Sequence, residues 1–234
     1  MIISQFRSFA QKIINPLVQI LVRNKVNPNT LTFLGFLLTL VAAGIFVYGA
    51  EFGSRTDFSY IGWGGFMILF AGAFDMFDGQ VARQSGRSTS YGALYDSVLD
   101  RYSELFMFFG ICYYLVSHDY FLSSMFAFIA LIGSVMVSYT RARAEALGLD
   151  SNVGLMQRPE RVVLIGAAAV ICGIAGQFIE PGWKIESGTL PFPVFETISI
   201  FTFPIFILAV LANLTAIRRL LHAKASAIKK GEKL

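Results

Sequence analysis

Residues 58–100 read FSYIGWGGFMILFAGAFDMFDGQVARQSGRSTSYGALYDSVLD, an uncharged stretch to Phe74 that runs straight into Asp75, Asp78, Asp96 and Asp100. An apolar run of this length approaches the ~20 residues an α-helix needs to cross a bilayer. Outward from it lie further uncharged runs at Leu31 to Ala50, Tyr120 to Thr140, Val162 to Ile179 and Thr197 to Ile217. A sixth segment, Tyr91 to Ser117, is apolar around Asp96, Asp100, Arg101 and Glu104, and is read as a span despite those charges. The connections are short, so the expected fold is an all-α membrane protein: six transmembrane helices in one up-and-down bundle.

Composition supports this reading. Of 234 residues 55% are hydrophobic and only 15% charged, where a water-soluble domain carries about 25% charged residues. Too little polar surface exists to wrap a soluble globule. Cys112 and Cys172 both lie in apolar runs, which argues for buried core and against a disulfide framework or a zinc site. Trp63, Trp183 and the tyrosines near span ends read as an interfacial belt.

The basic residues orient the bundle. Of 19 lysines and arginines, only Arg55 and Lys184 fall in the loops after the first, third and fifth spans. The positive-inside rule then puts both termini in the cytoplasm of a cell inner membrane. Residues 1–28 form a juxtamembrane amphipathic segment. There Phe6, Phe9, Ile13, Leu17 and Ile20 recur at helical steps among Arg7 and Lys12, which suits an N-terminal helix lying at the interface and kinked by Pro16. No secretory signal pattern is read in this segment. Residues 29–222 are expected to form the six-helix transmembrane domain, and residues 223–234 a basic cytoplasmic tail.

Carboxylates at membrane depth are expensive, and four of them at adjoining span ends repel one another unless a counter-charge intervenes. Asp75 and Asp78 are i,i+3 and Asp96 and Asp100 are i,i+4, so each pair occupies one helical face. Two facing helices then present a cage of oxygens. With no nearby His or Cys, such a cage favours Mg²⁺ or Mn²⁺ over zinc. Gly79 and Gly92 flank the acids, where a missing side chain admits a phosphate or a neighbouring backbone. A proton or ion transporter is the alternative class, but the polar groups cluster at one membrane edge instead of marking a path across.

The full string, Asp75-x2-Asp78-Gly79-x2-Ala82-Arg83-x8-Gly92-x3-Asp96-x3-Asp100, resembles the signature of the CDP-alcohol phosphatidyltransferase family without departure. The resemblance implies a reaction in which an alcohol attacks the β-phosphorus of a CDP-linked lipid, CDP-diacylglycerol, and CMP leaves. It also implies two ions, Mg²⁺ or Mn²⁺, with Asp75, Asp78, Asp96 and Asp100 as their ligands. Asp100 doubles as the base that takes the hydroxyl proton, and Arg83 holds a phosphate oxygen. Gly79, Ala82, Arg83 and Gly92 then belong to the CDP-lipid site. Pro28-Asn29-x2-Thr32 resembles the family pattern before the first span, which adds Asn29 and Thr32, although Asn29 or Thr30 also reads as an N-cap.

The acceptor is legible in a second cluster. Ser138-Tyr139-Thr140-Arg141-Ala142-Arg143-Ala144-Glu145 and Arg158-Pro159-Glu160-Arg161 bring four arginines to the connection between the fourth and fifth spans. Such a cluster suits an anion, hence a phosphorylated acceptor. It resembles the branch of the family that makes phosphatidylinositol phosphate from inositol 1-phosphate. By that resemblance Ser138, Arg141 and Arg161 bind the acceptor phosphate, and Arg219 joins them. Glycerol 3-phosphate, or a free alcohol such as inositol or serine, is the rival acceptor. The resemblance further implies a homodimer in membrane lipid, and no nucleic-acid partner is expected.

Overall fold

The computed structural model describes residues 15–151, 153–154, 157–180, 182–185 and 193–231. Helices dominate: α1 Pro28–Phe52, α2 Ser59–Gln84, α3 Ser90–Ser117, α4 Phe121–Ala146, α5 Arg158–Phe178 and α6 Ser199–Lys229. Five of them, all but α3, are long and apolar enough to cross a membrane, so the protein is a multi-pass membrane protein. A two-residue antiparallel ladder, which the sequence did not announce, pairs β1 Lys184–Ile185 with β2 Phe195–Glu196.

The helices form a closed ring. In packing order they run α1, α2, α5, α6, α4, α3 and back to α1. Small residues set the tight crossings, because without a water-driven hydrophobic effect close backbone packing carries association in a bilayer. A Cβ at Gly173 of α5 would stand 2.4 Å from the Gly62 Cα of α2, and one at Gly110 of α3 would meet the Ala43 backbone of α1 at 2.9 Å. Inside the ring lies a core that includes Phe46, Phe108, Tyr114, Ile165, Phe201 and Leu208. Phe46 stacks on Phe201 across it, at an interplanar angle of 10°.

Several helices outrun the apolar runs that announce them. α2 continues ten residues past Phe74 to Gln84, carrying the Asp75–Arg83 signature, and α6 continues through residues 223–229, which the sequence reading assigned to a tail. Helical hydrogen bonding does not stop where the bilayer does. The cap of α1 is Asn27, whose side chain accepts from Asn29 N at 3.0 Å. This corrects the expectation that Asn29 or Thr30 caps the span, and leaves Asn29 within the first turn.

Residues 15–23 are helical. Val18 packs fully buried against Leu31 and Val81, while Leu17 and Ile20 stay exposed. Phe6, Arg7, Phe9, Lys12 and Ile13 of the expected interfacial helix lie outside the described residues. Cys172 is buried and Cys112 half-buried, and both are free thiols.

At one end of the ring, Arg55 stands 4.7 Å over the Tyr120 ring and 3.9 Å from Glu196. These contacts gather the α1–α2 connection, the start of α4 and β2. At the other end Arg87 donates to Lys25 O at 3.0 Å, and Lys230 donates to Gly148 O. The signature carboxylates lie toward this second, arginine-rich end.

Candidate active site

A tight reversal between α2 and α3 builds the site. Gly86 takes a positive φ of 66°, a left-handed conformation that costs glycine little, and Arg87 N donates back to Ala82 O at 3.0 Å. Thr89 then caps α3, its Oγ1 accepting from Gly92 N at 2.9 Å. Within five residues the chain has turned, and the acids of α2 meet those of α3.

One carboxylate oxygen from each of Asp75, Asp78 and Asp96 lies within 4.8 Å of the others. Asp78 is buried and accepts from Thr32 Oγ1 of α1 at 2.6 Å. Asp96 Oδ1 is buried with no hydrogen-bond partner among the described residues. An orphaned carboxylate oxygen beside two more carboxylates is costly in a medium of low dielectric. Oxygens on opposite sides of an octahedral ion at about 2.1 Å stand about 4.2 Å apart, so small side-chain adjustments suffice. The donor set therefore fits a hard divalent cation.

Asp100 stands apart from that triad. Its Oδ1 pairs with Arg158 Nη2 at 2.8 Å, and the same guanidinium gives Nη1 to Asp75 Oδ2 at 2.7 Å. Arg158 begins α5. Its place in the anion cluster is legible in the sequence, but its reach to two signature carboxylates, Asp75 on the neighbouring α2 and Asp100 on α3, is not. Their separation in the chain, 83 residues for Asp75, leaves no local trace.

A cavity of about 200 Å³ collects the residues assigned to the CDP-lipid: Asn29, Thr32, Gly79, Ala82, Arg83 and Gly92 line it beside Asp78 and Asp96. Gly92 keeps that wall open. A Cβ would stand 3.2 Å from Asn29 Oδ1 and 3.1 Å from Thr89 Oγ1, filling the cradle between α1 and α3.

A second cavity, about 320 Å³, holds Asp100, Ser138, Arg141, Arg158, Arg161 and Arg219. Arg143 does not line it. Arg141 is half-exposed and pairs with Glu145 at 2.8 Å. Arg161 is fully buried, with Nε and Nη2 on Glu104 Oε1 at 3.1 and 2.5 Å. Arg219 is buried and donates to Val153 O at 2.9 Å and Val137 O at 2.7 Å. Ser138 Oγ donates to Ser134 O at 3.3 Å. Arg161 and Arg219 are thus framework cations as well as lining. A third, mainly apolar cavity of about 160 Å³ opens between α1, α2, α3 and α5, with Asp75, Asp100 and Arg158 in its wall.

A model of the CDP-alcohol phosphatidyltransferase family matches residues 25–183, which hold all four signature aspartates and three of the four acceptor-side residues. The chain belongs to that family. Among CDP-alcohol phosphatidyltransferases, a phosphatidylinositol phosphate synthase of Mycobacteroides abscessus is 36% identical over 164 residues, covering 69% of this chain and 70% of the relative. An archaetidylinositol phosphate synthase of Methanothermobacter thermautotrophicus is 29% identical over 220 residues, covering 94% and 93%. The crystal structure of the Mycobacterium tuberculosis phosphatidylinositol phosphate synthase with CDP-DAG bound superposes with a TM-score of 0.72 at 26% identity, covering 92% of this chain and 95% of that one. The same enzyme in complex with manganese and citrate gives 0.70 at 27% identity, covering 90% and 88%.

Proposed function

We propose that this enzyme transfers the phosphatidyl group of CDP-diacylglycerol to inositol 1-phosphate, giving phosphatidylinositol phosphate and CMP. The observation that carries the reading is Asp100. It lines the arginine-rich cavity and stands next in the signature to Asp96, which lines the cradle of Asn29, Arg83 and Gly92. A base in the wall of the anion site, one helical turn from a carboxylate of the nucleotide site, is what a phosphorylated acceptor requires.

Asp75, Asp78, Asp96 and Asp100 would hold the two cations. When bound, the cations offset charge that grows on the phosphates as CMP departs. The chain supplies the rest. Arg83 and Asn29 hold the nucleotide end, and Arg141 and Arg161, with Ser138 and Arg219, hold the acceptor phosphate. Asp100 accepts the proton as the acceptor oxygen bonds to the β-phosphorus and the bond from that phosphorus to the CMP oxygen breaks. The apolar cavity between α1 and α2 receives the lipid end. A carboxylate within hydrogen-bond reach of the hydroxyl suffices as base, since proximity precedes basicity.

The test is a competition. Purified enzyme given Mn²⁺ and CDP-diacylglycerol should release CMP with inositol 1-phosphate, and a radiolabelled mixture with glycerol 3-phosphate should favour the inositol product. Exclusive use of glycerol 3-phosphate would reassign the acceptor. No metal-dependent CMP release with any alcohol would end the enzyme reading.

For topology, α3 is proposed as the sixth span. It is 28 residues long, lies in the ring between α1 and α4, and carries its charges at Asp96, Asp100, Arg101 and Glu104, leaving residues 105–117 uncharged. Six spans return both termini to one side, and the basic end of the ring makes that side the cytoplasm. Cysteines placed at Arg87 and Lys230 should then label only from the cytoplasm and one at Lys184 only from outside. The reverse pattern inverts the assignment. A homodimer, an interfacial N-terminal segment and a basic end to α6 from residue 223 complete the proposed organisation.

A further inference from the structure

Arg158 is placed where neither packing nor helix electrostatics favours a cation. It is the first residue of α5, ahead of Pro159 and between the capping partners Gln157 and Glu160, and a helix N-terminus repels positive charge. Its guanidinium is held there by Asp75 Oδ2 at 2.7 Å and Asp100 Oδ1 at 2.8 Å, reaching from α5 to α2 and α3 at once. Its Nε is buried with no hydrogen-bond partner among the described residues, so one donor is unspent there. The same side chain forms part of the wall of the arginine-lined cavity, alongside Arg141 and Arg161.

We propose that Arg158 is an exchangeable counter-ion that couples cation loading to acceptor binding. Asp75 and Asp100 cannot give the same oxygens to a guanidinium and to a divalent cation, and two positive groups at that distance repel strongly where water is scarce. A cation arriving at these carboxylates therefore releases Arg158. Rotation about its side-chain bonds carries the guanidinium into the adjoining cavity. There it faces an acceptor phosphate with two Nη groups and the formerly unpartnered Nε, a fork suited to tetrahedral oxyanions. Arg158 thus has two roles in turn: it offsets the charges of Asp75 and Asp100 before loading, and it completes the acceptor site as a phosphate ligand only after loading.

Linkage is reciprocal, so each ligand must tighten the other by the same factor. The inference rests on the proposed function, and the experiment separates the two. Mn²⁺ binding to the full-length protein in detergent is followed by electron paramagnetic resonance, with and without inositol 1-phosphate and without CDP-lipid. Wild type should bind Mn²⁺ about tenfold more tightly with inositol 1-phosphate present, a coupling of ordinary size. Arg158→Gln should bind Mn²⁺ several-fold more tightly than wild type when the acceptor is absent, because the competing cation is gone, and should lose the linkage. Arg158→Lys, which cannot bridge both carboxylates with a fork, should keep charge competition with a reduced linkage and serves where the glutamine variant fails to fold. Linkage of wild-type size in either variant, or Mn²⁺ affinity in Arg158→Gln no higher than wild type, overturns the inference. Wild type that binds Mn²⁺ with no linkage overturns it while leaving the proposed function standing. Wild type that binds no Mn²⁺ overturns both.

Discussion

Asp78→Asn should abolish metal-dependent CMP release while leaving the folded protein at least as stable as wild type. The two effects have one cause. Asp78 is buried in a cluster where its oxygen, one from Asp75 and one from Asp96 lie within 4.8 Å, so its charge is a liability to the bundle and an asset only to a cation. An amide keeps the shape and the acceptor for Thr32 Oγ1, which now sits 2.6 Å from Asp78 Oδ2, and removes repulsion from its neighbours. Removing one charge that stabilises a transition state costs about a hundred- to a thousandfold in turnover. The same loss is expected for Asp75→Asn, Asp96→Asn and Asp100→Asn, with Asp100→Asn retaining CDP-lipid binding if its main work is proton transfer. Turnover against Mn²⁺ concentration and a thermal melt in detergent read the two halves. Near-wild-type turnover in any of the four contradicts the assignment, and a large drop in melting temperature for Asp78→Asn makes the carboxylate structural.

Much of this architecture could be read from residue pattern because bilayer crossing is a local property. The five apolar runs became the cores of α1, α2, α4, α5 and α6, since twenty uncharged residues state their environment without reference to any partner. The aspartates were legible for a related reason: spacings of three and four residues put Asp75 with Asp78 and Asp96 with Asp100 on common faces, and one tight turn at Gly86 suffices to join the faces. What pairs across the ring was not legible. Arg158 with Asp100 and Arg161 with Glu104 are joined only because α3 and α5 face one another across a closed ring. Nothing in either segment marks its partner, and Arg158, Arg161 and Arg143 look alike as a basic cluster. The structure separates them. Arg158 spans two signature acids, Arg161 is sealed against Glu104, and Arg143 is exposed outside the cavity. The reach of α6 through Lys229 was hidden because polar helix beyond the membrane surface has no hydropathic signature.

That separation sharpens the acceptor-site test. Arg141 and Arg161 were read as equivalent phosphate binders, yet their replacements should diverge. Arg141 is half-exposed in an i,i+4 pair with Glu145, an arrangement worth little to stability, so Arg141→Ala should leave the melting temperature close to wild type. Its effect belongs in the KM for inositol 1-phosphate, raised by about one to two decades for a lost charge-assisted hydrogen bond of ~1.5 to 3 kcal/mol. Arg161→Ala instead takes from Glu104, which is 2% exposed, its close partner Nη2 at 2.5 Å and leaves it the longer 3.9 Å pairing with Arg101. Breaking a buried pair on one side costs about 3 to 5 kcal/mol, enough to threaten the fold. Replacing both, as Glu104→Leu with Arg161→Met, removes the charge left behind and should recover most of that stability, because a buried pair and an apolar pair of similar volume are often nearly equivalent. The recovered protein then decides what Arg161 does. A double variant that folds but keeps a KM raised at least tenfold, with CDP-diacylglycerol binding unchanged, makes Arg161 a phosphate ligand as well as a strut. Restoration of the wild-type KM makes it a strut alone, and the acceptor phosphate then rests on Arg141, with Arg158 as its partner in the clasp.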